Sequence, residues 1–142
     1  MIEVNYTLII VATLVQFVLG AVWYSPLMFG KIWMSIMEVS QYTKEELQKM
    51  QKSMMPFYGL QFILTLITTN CLAYVFAMGK MVDVNYSVYM GAFWVWFGFM
   101  MPVAVSAVIW SSTKRKYWLK QIAIMCGMQF VGIMLAAFIL TM

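Results

Sequence analysis

Residues 117–141 read YWLKQIAIMCGMQFVGIMLAAFILT, and every residue of this stretch after Lys120 is uncharged. About 20 apolar helical residues cross a hydrocarbon layer of about 30 Å, so the segment is long enough to span a membrane. Residues 6–24, 57–78 and 86–110 have the same character. None of the four stretches carries Asp, Glu, Lys or Arg in its central part, where one charge costs about 2.5 to 3.5 kcal/mol on an insertion scale. Helix is required, because an isolated strand leaves its backbone groups unpaired in lipid. The sequence therefore predicts an all-α, integral membrane four-helix bundle, with residues 1–142 forming a single transmembrane domain.

Composition agrees: 64% of the residues are apolar and 10% are charged, against nearly half and about a quarter in soluble domains. A net charge of +4 does not point to nucleic acid, because the basic residues are few, lie between apolar runs and form no continuous stripe. The chain has no His, and Cys71 and Cys126 both fall inside apolar runs, where thiols behave as small hydrophobes. Neither a zinc site nor a disulfide framework is expected. Thioethers suit Cu(I), but the 16 Met residues are scattered and read as gap-fillers. No acid lies within a span, and Ser25, Ser106 and Cys126 have no visible base partner. The chain is thus read as a non-enzyme without cofactor or metal. The first apolar run follows Glu3, not a basic residue, and shows no small-x-small cleavage pattern before Trp23, so it reads as a retained span.

Lys31, Lys44, Lys49 and Lys52 lie between the first two spans, and Lys114, Arg115, Lys116 and Lys120 between the last two, whereas only Lys80 lies between the middle pair. The positive-inside rule then places the first and third loops in the cytoplasm and both termini outside. Trp23, Tyr24, Tyr58, Trp110, Tyr117 and Trp118 mark the inner boundary; Tyr6, Tyr74, Tyr86 and Tyr89 mark the outer one.

Residues 25–56 form the one sizeable loop. Its first part, with Leu27, Phe29, Ile32, Trp33 and Ile36 around Lys31 and Ser35, has the mixed character of an amphipathic segment lying in the interface. Its second part opens with Thr43, Lys44, Glu45 and Glu46, a capping box that predicts a short polar helix over residues 44–53. Pro56 then falls in the first turn of the second span.

Polar residues within the spans form stripes. Thr13, Gln16 and Gly20 share a face in the first span. Gln61, Thr65, Thr68 and Thr69 do so in the second, as do Gln121, Met125, Gln129, Gly132 and Ala136 in the fourth. Such faces look inward or toward another subunit, because lipid cannot hydrogen-bond an amide. They serve either as helix interfaces or as a polar path. Asn70 lies on the opposite side of its helix from Gln61, so with Gln61 at the bundle centre it needs a neighbouring subunit or a second groove. Pro102 sits inside the third span, where its ring displaces the carbonyl of Gly98 and bends the helix; Ser106, one turn on, is in reach of a backbone carbonyl. The halves also echo each other, Gly20-Ala21-Val22-Trp23 against Gly91-Ala92-Phe93-Trp94, as parallel repeats do in some transporters.

The most distinctive run is FVLGAVWYSPLMFGKIWM, residues 17–34. Trp23 and Tyr24 suit an interfacial anchor, Ser25-Pro26 ends the span, and Gly30 permits a second turn before Trp33. The pattern Gly20, Trp23, Tyr24, Ser25, Pro26, Phe29, Gly30 and Trp33 resembles the opening of a bacterial family of small four-span membrane proteins catalogued as a domain of unknown function. That resemblance implies four spans in a prokaryotic plasma membrane and brings no substrate, cofactor or activity. The expected role is a small oligomeric channel or carrier. Gln16, Gln61, Thr65, Thr68, Gln129 and Ser106 would line its path, and Pro102 would supply a bend. The alternative is a membrane scaffold that binds a protein partner. The partners expected are the lipid bilayer and further copies of the chain, with the solute or protein partner unidentified.

Overall fold

The structure, a computed structural model, describes residues 3–142. Helix α1 (Tyr6–Trp23) starts where the Asn5 side-chain oxygen accepts from the N–H groups of Thr7 and Leu8 at 3.0 and 3.2 Å. These are donors that a helix start leaves free. A tight turn leads into α2 (Gly30–Ile36), followed by a 3-10 turn at Val39–Gln41. Glu38 between them adopts φ 55°, uncommon for a residue with a Cβ, and its carboxylate pairs with Lys114. That contact places the first and third loops at the same end of the bundle, as expected.

Helix α3 (Lys44–Val82) departs from expectation. The short polar helix and the second span are one helix of 39 residues, with Pro56 in its interior. At 1.5 Å per residue it is about 58 Å long, nearly twice a hydrocarbon layer. Residues 44–55 therefore form an arm that leaves the bundle, and the loop expected over residues 25–56 is shorter by that arm. Pro56 removes the donor for the Lys52 carbonyl, yet every residue from 51 to 61 is exposed. The ring thus meets no neighbouring helix, and the freed carbonyl is open to its surroundings.

The capping box forms as read. Thr43 Oγ1 accepts from the Glu46 N–H at 3.3 Å, and a Glu46 carboxylate oxygen accepts from the Thr43 N–H at 2.7 Å. The bond from the Thr43 backbone, reinforced by its hydroxyl, holds the Glu46 carboxyl below the usual glutamate range. A depressed acid contributes stability above its unfolded pKa and loses it as pH falls through the folded value. Amide protection in residues 44–49, corrected for the intrinsic exchange rate at each pH, is therefore expected to fall at acid pH in the wild type, and to be low and less pH-dependent in Glu46→Gln.

An Asx turn, in which the Asn85 N–H donates to Asp83 Oδ1 at 2.9 Å, and a Ser87 cap on the Met90 N–H start the third span. That span comprises α4 (Val88–Val95), a π turn (Trp96–Met100) and α5 (Met101–Ile109). A 3-10 turn at Arg115–Tyr117 opens α6 (Trp118–Leu140). Four helices are long and apolar enough to cross a membrane, and no strand occurs among the described residues. The fold is all-α.

Helix α6 is the hub, packing on α1, α4 and α5, while α3 packs mainly on α1 and more lightly on α4. Leu72, Phe76, Val88, Ala92, Ile133 and Ala137 fill one buried cluster, and Ala12, Ala136 and Ile139 another. Tyr86 wedges between α3 and α4: a Cβ on Gly79 would lie 2.6 Å from its ring, and one on Gly91 would overlap its hydroxyl. Both positions require the missing side chain, a pairing that helix periodicity does not reveal.

Candidate functional site

The polar stripes divide into an inward and an outward set. Gln16 on α1 donates through Nε2 to Thr69 Oγ1 on α3 at 2.7 Å and to the Ala12 carbonyl at 3.3 Å. The Thr69 hydroxyl in turn donates to the Thr65 carbonyl at 2.8 Å. A Cβ on Gly132 would stand 3.7 Å from Gln16 Oε1, so this amide sits where α1, α3 and α6 meet. Thr13 is fully buried and donates to the Ile9 carbonyl at 2.8 Å. Gln121 and Gln129 on α6 point inward as well, each with a buried Oε1 that has no partner among the described residues.

Gln61 and Thr68 do the opposite. Both are exposed on α3, with Thr65 partly buried between them. Gln61 Nε2 donates to Thr65 Oγ1 at 3.4 Å, and the two Thr hydroxyls donate to the carbonyls one turn back. Phe62 meets Phe17 of α1 edge to face at 5.5 Å, so the stripe begins at membrane depth. The face read as one in the sequence is thus split: Thr69 turns to α1, whereas Gln61 and Thr68 turn away from the bundle. Gln61 does not face the centre, so the argument from Asn70, which is partly buried, loses its premise.

The Gln16 bond predicts a modest cost. Interhelical polar bonds in membranes average about 0.6 kcal/mol, so Gln16→Leu should lower thermal stability slightly and leave the fold intact. A loss several times larger would mean that this bond holds α1 to α3 far more tightly than such bonds usually do.

The run from Gly20 to Trp33 builds a compact return turn. The Ser25 hydroxyl donates to the Val22 carbonyl at 2.7 Å, the Phe29 N–H donates to Trp23 O at 3.0 Å, and the Gly30 N–H donates to Ser25 O at 2.9 Å. Trp23 lies tilted against Phe29 at 4.9 Å, and Tyr24 meets Trp33 edge to face at 4.9 Å. Pro26 lies exposed at the tip. Trp23 Nε1 donates to the Ile124 carbonyl of α6 at 3.1 Å. A Cβ on Gly20 would meet Met128 of α6 at 3.0 Å. Gly20 and Trp23 therefore hold the end of α1 against α6, and the bonds of Ser25, Phe29 and Gly30 turn the chain back along the bundle end.

The echo between the halves does not carry over into packing. Trp94 is 58% exposed, and Trp96 is the residue whose Nε1 reaches α6, at the Cys126 carbonyl, 3.1 Å away. Pro102 is accommodated by the π turn before it, where the Met101 N–H reaches the Trp96 carbonyl five residues back. The widened turn takes up the crowding between the proline ring and the Gly98 carbonyl. Ser106 is exposed on α5, and its hydroxyl has no hydrogen-bond partner among the described residues, so the expected reach to a carbonyl is not made.

Two clefts open at the ends of the bundle. One of about 400 Å³ lies between Asn5, Phe76, Lys80, Val88 and Leu140, with Glu3 at its rim. The other, about 250 Å³, lies at the basic end between α2 and the start of α6. Neither touches Gln61 or Gln129.

Four apolar helices long enough to cross a bilayer, tied by intramembrane amides and indoles, define an integral membrane protein of the four-span class. The chain belongs to the family described as protein of unknown function, DUF1761, whose model matches residues 7–141, in agreement with the family-level resemblance read from the first helix exit. Comparison with curated proteins and with solved structures gives no significant match.

Proposed function

We propose that the protein is a small homo-oligomeric channel or carrier, not an enzyme, in the plasma membrane of a prokaryote, with both termini outside. The observation that carries this reading is the outward stripe of Gln61, Thr65 and Thr68 on a helix that packs on only part of its circumference. An amide facing hydrocarbon has no partner there, whereas a second copy offers the same donor and acceptor in self-complementary form. Gln16 and Thr69 are consumed in joining α1 to α3, so a solute path fits between subunits along α3. The orientation rests on the basic residues gathered at the end where Glu38 meets Lys114.

Thr68→Cys in a Cys71→Ser background should give dimers and higher species with a short bifunctional thiol reagent in membranes. Proteoliposomes should leak small ions or polar solutes above empty vesicles, with the excess abolished by Gln61→Leu. Cross-linking without flux across a broad solute panel would drop transport and leave self-assembly.

A scaffold is the second reading, favoured by the arm. Residues 44–55 are exposed apart from the half-buried Leu47, and the capping box fixes their helical start. A protein partner would bind there. Deleting the arm should then abolish its recovery and leave flux unchanged.

A further inference from the structure

The basic-end cleft is built from two elements distant in sequence. Lys31, Ile32, Ser35 and Ile36 of α2 form one wall, and Tyr117 and Lys120 at the start of α6 form the other. Ile36 is buried and closes the floor. No carboxylate lines the cleft. Glu38 is engaged with Lys114, Glu45 and Glu46 stand in the first turn of α3, and Glu3 and Asp83 lie at the other end. Lys31 and Lys120 thus line a shared space, and neither is ion-paired among the described residues.

We infer that this cleft holds the phosphate of an anionic phospholipid headgroup from the adjoining leaflet. The chemistry of the walls fits: two ammonium groups and two hydroxyls for phosphate oxygens, with isoleucine below for the start of the acyl region. Size points the same way. At about 250 Å³ the cleft falls below the roughly 300 to 1,000 Å³ of sites that enclose whole small molecules. It suits a headgroup whose tails remain in the bilayer. Its level also fits, because Tyr24 with Trp33, and Arg115 over the Trp118 ring at 5.5 Å, form an aromatic and basic belt beside it, the composition of a membrane interface. A lipid reaches such a site by lateral diffusion, at a local concentration that no soluble phosphate matches.

The test uses the purified full chain in neutral detergent, with phosphatidylglycerol and phosphatidylcholine of equal chain length, read by native mass spectrometry and by thermal shift. Two lysines at the surface are expected to give roughly tenfold preference or more for the anionic lipid. Lys31→Gln with Lys120→Gln should abolish that preference, and Lys31→Arg with Lys120→Arg should retain it. Ile32→Trp, a change at an exposed position that fills the cleft without altering charge, should abolish it too. Lys44→Gln with Lys49→Gln, which removes the same charge from the arm, should leave it intact. Equal retention of both lipids by the wild type, or equal loss in the arm variant, overturns the site. Stabilisation by inorganic phosphate equal to that by phosphatidylglycerol would assign the cleft to the free anion and overturn the lipid.

Discussion

Gly30→Ala is expected to lower the melting temperature in mild detergent by roughly 6 to 12 °C, the counterpart of about 3 kcal/mol in a chain of this size. The added Cβ would stand 2.5 Å from the Ser25 carbonyl carbon and the Tyr24 oxygen, and 2.6 Å from the Ser25 oxygen. These are backbone atoms, which have no rotamer by which to move away. Relief requires opening the turn, which separates Gly30 N–H from Ser25 O and Phe29 N–H from Trp23 O and draws Trp33 from Tyr24. Gly59→Ala is the control. Nothing lies within 4 Å of a Cβ there, so it should be neutral or stabilising by up to about 1 kcal/mol through helix propensity. Similar losses in both variants would show that the return turn is not the constraint.

Trp23→Ala is expected to cost about 3 kcal/mol, the low end for a large aromatic truncation because the ring is only partly buried. It removes the bond to the Ile124 carbonyl, the tilted ring contact with Phe29 and the contact at Gly127, where a Cβ would lie 3.3 Å from the indole. Trp23→Phe keeps part of the ring contact and should lose less. Trp94→Ala, at a 58% exposed position, should scarcely register. Thiol labelling adds a local readout, because Cys126 is buried in α6 beside this contact whereas Cys71 is exposed. Trp23→Ala should speed the labelling of Cys126 and leave Cys71 unchanged. An unaltered Cys126 rate together with an unaltered melting temperature would remove Trp23 from the α1–α6 contact.

The spans were legible because hydrocarbon admits so few alternatives: uncharged runs of sufficient length must be helices, and only boundary residues were left to settle. The Thr43–Glu46 capping box was legible because its chemistry is local. What periodicity could not supply is which side of an apolar helix meets protein and which meets lipid, since both are apolar. Gln61 and Thr69 therefore read as one face although only Thr69 is turned to α1, and Trp94 drew attention that belonged to Trp96. Pro56 read as a helix start because the cost of an internal proline depends on neighbours absent from the sequence. Pro102 read as a bend, and the π turn that accommodates it emerges only from the backbone. Tyr86 between Gly79 and Gly91 joins positions on two helices that no single-helix pattern links.

The central place of α6 bears on how the chain is made. It leaves the ribosome after the other three spans, yet α1, α4 and α5 all pack on it, and the indole of Trp23 waits for a carbonyl 101 residues further along. Until α6 inserts, the earlier spans sit in the bilayer with their mutual partner missing, and Gln16 has met only part of its surroundings. Assembly is therefore a late, concerted event, and chains truncated before α6 should be cleared by membrane quality control as orphaned helices even though three of their spans have already been inserted.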